Sequence, residues 1–223
     1  QTVQNLSLLG LGVGQFYSTL SETQFPHRIH GGTQDQGYQV GSRANSGGSG
    51  PSTGFNQIIS GDYGHLTSPD QTLNRVYSTY PGFTLIASGP QSNLSTLGFP
   101  SGASHLWLPP VVAEPGAANS FFFLGRYLWR QYRTGASWSE VHHSTRDFAA
   151  GSGAYLSAMA FCPTDPSLAW AANDAGRLWR STDGGVTWTE GSVGIPGSHY
   201  FYGNCIAPHP VDPNRIVASG TGY

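Results

Sequence analysis

Short apolar runs rich in Val, Ile, Phe, Tyr and Trp alternate along the chain with turns rich in Gly, Pro, Asn, Asp and Ser. Helical spacing is scarce, so the pattern predicts an all-β chain of many short strands. One stretch shows the unit. A strand over 158–162 enters a turn, Pro163 to Pro166, in which proline fixes φ and an Asp can bond the following backbone. A strand over 168–172, the turn Asn173–Asp174–Ala175–Gly176, a strand over 177–181, a turn over 182–185 and a strand over 186–190 complete four antiparallel strands.

The unit recurs. Leu128 to Trp138 aligns without gaps on Leu178 to Trp188, fifty positions on, and Met159 to Ser167 aligns on Ile206 to Asn214, 47 positions on. A period near 50 in an all-β chain predicts the four-stranded blades of a β-propeller. Ile58 to Leu66 reads as one strand, followed by a Ser-Pro-Asp turn and a strand over 74–80. Pro110–Val112, Glu114–Gly116 and Ser120–Phe123 repeat that plan, and Gly14 to Gly37 ends in a tight hairpin, GGTQDQG. The stretches 41–54 and 83–105 are rich in Ser, Gly and Pro, and read as exposed loops. The 223 residues hold about four to five blades, the low end for closure. The expectation is one partial propeller domain over 1–223, its ring completed by further sequence or by another chain.

Charge narrows the function classes. Only 10% of residues are charged, all ten basic residues are Arg, and the net charge is -2. No basic run is present to displace counterions, which argues against nucleic acid as a partner. No apolar run approaches a membrane span. The absence of Lys, the abundance of Ser, Thr, Gly and Asn, and the sequons at Asn5 and Asn93 point to an extracellular or cell-surface protein.

Ser181-Thr182-Asp183-Gly184-Gly185-Val186-Thr187-Trp188 resembles the Asp-box of BNR-repeat propellers, a superfamily that includes sialidases, sortilin-type receptors and xyloglucanase-type glycoside hydrolases. GGTQDQG (31–37), Ser60 to Gly64 and Arg75 to Ser78 are similar to hairpin and strand stretches of secreted members, so the resemblance covers about 15–223. It implies that Asp183, with Ser181, closes its own hairpin, that Gly185 permits the tight backbone, and that Trp188 buries between blades. It thus implies a structural element at the blade periphery rather than a catalytic one.

Hydrolysis of the xyloglucanase type needs two aspartates facing each other across a cleft, whereas the sialidase type needs three Arg, a Tyr nucleophile with a Glu partner and an Asp acid, and the ten Arg here are scattered. Asp35 and Asp62 are the acidic candidates, but each lies in a Gly-rich turn where an Asp also serves as a cap. Tyr63, Trp107, Tyr200 and Tyr202 are candidate ligand-stacking residues near expected strand-entry loops, whereas most aromatic residues of a propeller pack between blades. His27, His30, His142 and His143 lack Cys or carboxylate partners at ligand spacing, so they read as loop histidines and no metal or cofactor is expected. Cys162 and Cys205 lie in corresponding strands of consecutive blades, where a disulfide and two buried free thiols are both compatible. The leading expectation is a non-catalytic secreted module that binds carbohydrate or protein or serves assembly; the alternative is a fragment of a glycoside hydrolase.

Overall fold

A computed structural model describes residues 14–23, 27–42, 55–69, 72–89, 93–191 and 202–221. Among them are eighteen strands and no helix. Strands β1 (Phe16–Ser21), β2 (Arg28–Thr33), β3 (Gly37–Ser42) and β4 (Phe55–Ile59) form the first blade. Strands β5 (Gly64–Thr67), β6 (Arg75–Tyr80), β7 (Phe83–Ser88) and β8 (Asn93–Gly98) form the second. The third comprises β9 (Val111–Ala113), β10 (Ser120–Leu124), β11 (Leu128–Thr134) and β12 (Ser137–His142). The fourth comprises β13 (Leu156–Phe161), β14 (Ala169–Asn173), β15 (Leu178–Ser181) and β16 (Thr189–Gly191). A two-stranded sheet, β17 (Tyr202–Pro208) with β18 (Ile216–Thr221), follows. Every sheet is an antiparallel meander in chain order, as tight hairpins between consecutive strands dictate. These are propeller blades, and the ring is not closed.

The blades meet through apolar faces. Tyr38 and Val40 of blade 1 pack with Tyr63, Leu66, Val76 and Leu85 of blade 2. Tyr77 and Ile86 of blade 2 pack with Val111, Phe121 and Phe123 of blade 3. Phe122 and Leu128 meet Met159, Trp179 and Trp188 of blade 4, and Ala158, Trp170 and Leu178 meet Ile206. Close approach explains one glycine: a Cβ on Gly32 would lie 2.2 Å from the Tyr63 carbonyl oxygen.

Three expectations need correction. Ile58 to Leu66 is not one strand but the end of β4, a turn and the first three residues of β5, because Gly61 at φ 120° redirects the chain between blades. The stretch 83–105 is not a loop. It contains β7, whose Thr84–Ala87 are buried because both faces of the sheet are covered, and β8, an outer strand whose polar residues face solvent. Gly41 and Ser42 are buried in β3, and the rest of the expected 41–54 loop lies outside the described residues.

Candidate functional site

The first strands of the blades, β1, β5, β9, β13 and β17, surround a channel of about 770 Å³. Its wall is small and uncharged, including Ser18, Thr67, Val111, Ala113, Ser157 and Ala160. The hydroxyls are engaged with main chain. Ser18 Oγ accepts the Leu66 amide at 3.0 Å, which ties β1 to β5. Thr67 Oγ1 accepts the Ala113 amide at 3.0 Å, which ties β5 to β9. Ser157 Oγ donates to the Ala172 carbonyl at 3.4 Å. His65, also in the wall, is held at about 4 by burial, opposed by a hydrogen bond with the Leu108 backbone, and is therefore neutral near pH 7.

The acidic candidates are not among the residues that line the channel; they stand on two turns that meet beside β1. Asp35 sits in the β2–β3 turn at φ 62°, and Asp62 lies on the connection from β4 to β5. Asp62 Oδ1 accepts the Asp35 amide at 3.0 Å, so Asp62 caps the turn on which Asp35 stands. Tyr17 of β1 is nearby: burial, then the charges of Asp62 and Asp35, push its phenol up. Gly64 brings the next loop in, since a Cβ there would lie 2.6 Å from Leu108 Cδ2 and 3.6 Å from Tyr17 Cβ. Trp107, the residue before Leu108, is 65% exposed, and Tyr17 is 39% exposed. The structure thus brings Tyr17 near Asp35 and Asp62, and brings the loop bearing Trp107 and Leu108 to Gly64 beside Tyr17. Tyr17 is the residue that sequence reasoning missed. It lies one residue after Phe16 at the start of a strand, a position indistinguishable in sequence from a core aromatic.

The other ligand candidates separate. Tyr63 does not face the channel. It is 1% exposed, 5.2 Å from the Tyr80 ring and 6.4 Å from the Phe83 ring, in the core between blades 1 and 2. Tyr202 begins β17, but its side chain and all of Tyr200 lie outside the described residues.

The turn after β15 has the geometry of a fastener. Asp183 Oδ1 accepts the amides of Val186 at 3.1 Å and Thr187 at 2.9 Å, and the Ser181 hydroxyl at 2.8 Å. Asp183 Oδ2 accepts the Thr187 hydroxyl at 2.6 Å. Ser181 Oγ also accepts the Gly185 amide at 2.8 Å, and Trp188 Nε1 donates to the Gly185 carbonyl at 2.8 Å. The Trp188 ring is buried beside Phe148, with centroids 5.7 Å apart. The Thr187 hydroxyl and amide, then Ser181, hold the Asp183 carboxyl at about 2.

Both cysteines are free. Cys162 is buried with Sγ 3.3 Å from Thr164 Oγ1, whereas Cys205 is exposed, so neither a disulfide nor a pair of buried thiols is present. Three histidines also depart from the expectation of solvent-facing loop residues. His30 is buried in β2, 2.6 Å from the Tyr38 hydroxyl, His142 ends β12 with its ring centroid 3.8 Å from that of Trp129, and His143 Nε2 is bonded to the Gly184 carbonyl at 2.9 Å. Among the described residues no group of three or more His, Cys, Asp or Glu forms a metal cluster, and no helix is long and apolar enough to cross a membrane.

No family model and no curated protein matches the chain. Solved structures do. A GH74 enzyme from Niastella koreensis superposes with a TM-score of 0.64 at 15% identity over 88% of this chain and 32% of that one. The GH74 xyloglucanase from Xanthomonas campestris gives 0.62 at 14% over 86% and 33%. YCF48 from Cyanidioschyzon merolae gives 0.59 at 14% over 91% and 63%. The chain therefore spans about a third of the two GH74 chains and under two thirds of YCF48. At such identities the likeness shows the fold and nothing finer: the chain is built as β-propeller blades.

Proposed function

We propose that this chain is a non-catalytic extracellular binding module of BNR type, receiving a carbohydrate ligand beside Tyr17 and Trp107. The observation that carries it is the 65% exposure of Trp107, on the loop whose Leu108 packs at Gly64 beside Tyr17. A large exposed indole offers the flat apolar face on which a sugar ring is held. Asp35 and Asp62 serve there as acceptors and as a turn cap rather than as an acid–base pair, since one Asp62 oxygen is already committed to the Asp35 amide.

The test is titration of the chain with neutral oligosaccharides of the xyloglucan and cellulose types, followed by tryptophan fluorescence, alongside an assay for newly released reducing ends. The expected result is saturable binding, lost in Trp107→Ala, without release of reducing ends. The second reading, a fragment of a glycoside hydrolase, is favoured by the likeness to two GH74 enzymes. Release of reducing ends that disappears in Asp62→Asn would establish it in place of the first.

A further inference from the structure

Away from the channel, the junction of blades 3 and 4 gathers three of the ten arginines around two acids. Asp147 is taken by Arg126, whose Nη2 donates at 2.7 Å and Nε at 3.2 Å. Glu190 is taken by Arg177, whose Nε donates at 2.8 Å and Nη2 at 2.6 Å. Each acid is therefore gripped by both prongs of a guanidinium, the strong geometry for this pair. Arg146 is left over. Its one carboxylate contact is 3.4 Å, to the Glu190 oxygen that already holds Arg177 Nη2.

Arg146 is nevertheless fixed in place. Its guanidinium carbon lies 5.9 Å from the Phe148 ring centroid and 5.6 Å from that of Trp179. Nη1 donates to the Trp188 carbonyl at 3.2 Å, while Nε is buried without a partner. A stacked, tethered guanidinium has already lost its side-chain freedom, so a ligand meeting it bears little ordering cost. It borders a recess of about 450 Å³, lined also by Ser144, Thr145, Ala150 and Thr187. Asp147 forms part of the same wall, with its charge answered by Arg126.

We propose that this recess is a binding site for a small carboxylate, with Arg146 supplying the charge and the Ser144 and Thr145 hydroxyls the neutral partners, the Thr187 hydroxyl being committed to Asp183. Of the charged residues that line the recess, Asp147 is answered by Arg126 and Arg146 lacks a carboxylate that grips it with both prongs, which suits a monoanion. A second negative charge on the ligand would meet Asp147 in the same wall. The recess has the volume for one sugar acid or one acidic amino acid. It is separate from the surface beside Tyr17 and Trp107 and stands or falls independently of the ligand bound there.

The experiment is a titration of the chain at low ionic strength with galacturonate, the α-amide of N-acetylglutamate (a monoanion), inorganic phosphate and glucose, read by heteronuclear NMR or calorimetry. At least one carboxylate should bind with millimolar affinity, more tightly than phosphate and at least tenfold more tightly than glucose, and should weaken as salt is raised. Binding of galacturonate alone would assign a sugar acid, and of the N-acetylglutamate α-amide alone an acidic peptide side chain. R146Q should lower the affinity at least tenfold. Because Arg146 also tethers Trp188, a second variant, A150L, fills the recess without touching the guanidinium and should produce the same loss. Absence of binding by either carboxylate, unchanged affinity in A150L, or equal binding of glucose would overturn the proposal.

Discussion

Replacing Asp183 by Asn tests whether its carboxylate holds the turn after β15 as a charge or merely as a shape. Asn keeps the size and one acceptor oxygen but loses the charge. In the native turn four donors converge on the carboxylate: the amides of Val186 and Thr187 and the hydroxyls of Ser181 and Thr187. They hold the carboxyl at about 2 rather than 3.8. Nearly two units would correspond to ~2.5 kcal/mol at full strength. The side chain is exposed, so solvent screening reduces this to ~1 kcal/mol, or roughly 2–4 °C in Tm for a chain of this size. The sign is fixed by the direction of the shift. A depressed folded pKa gives stability that is fully present above about pH 4 and disappears as pH falls through about 2. Urea melts of the wild type and D183N, followed by tryptophan fluorescence at pH 6, 4 and 2.5, should show a gap of ~1 kcal/mol that shrinks steadily. A gap of the same size at pH 6 and pH 2.5 would refute the electrostatic account, and no gap at pH 6 would refute the fastening role.

Further outcomes are expected elsewhere in the blades. Glu22 and Arg28 form a buried ion pair at 2.6 Å, so Glu22→Ala should cost about 3–5 kcal/mol in chemical denaturation by stranding the guanidinium. His30 and His65 are each held at about 4 by burial, so stability should decline as pH falls from ~6.5 towards 4; His65→Gln should flatten part of that decline in pH-dependent melts. Gly37 sits at φ 79° with the Ile59 carbonyl oxygen in the way of any Cβ, so Gly37→Ala should lower stability by more than ~1 kcal/mol. Thiol titration should modify Cys205 in the native protein and Cys162 only after unfolding, and the intact mass should show two thiols.

The sequence by itself determined the repeat, and with it the blades. Leu128 and Leu178, fifty positions apart, both begin third strands, and Met159 and Ile206 both stand in first strands. This was legible because the repeating elements are local: apolar runs of strand length, and turns whose Pro, Gly and Asp carry their own backbone preferences. The Asp183 turn was legible for the same reason, since all its partners lie within four residues. What neighbouring blades impose was not. Strands β7 and β8 read as a loop because a strand covered on both faces and a polar outer strand each lack the alternation of a half-buried one. Tyr63 precedes one first strand and Tyr17 lies at the start of another, yet one is sealed beneath Tyr80 and Phe83 and the other is 39% exposed. The surplus of Arg146 likewise exists only once Arg126 and Arg177 have claimed the two acids. Burial, accessibility and charge balance are set by contacts across blades, between residues distant in sequence, so tertiary packing alone decided them.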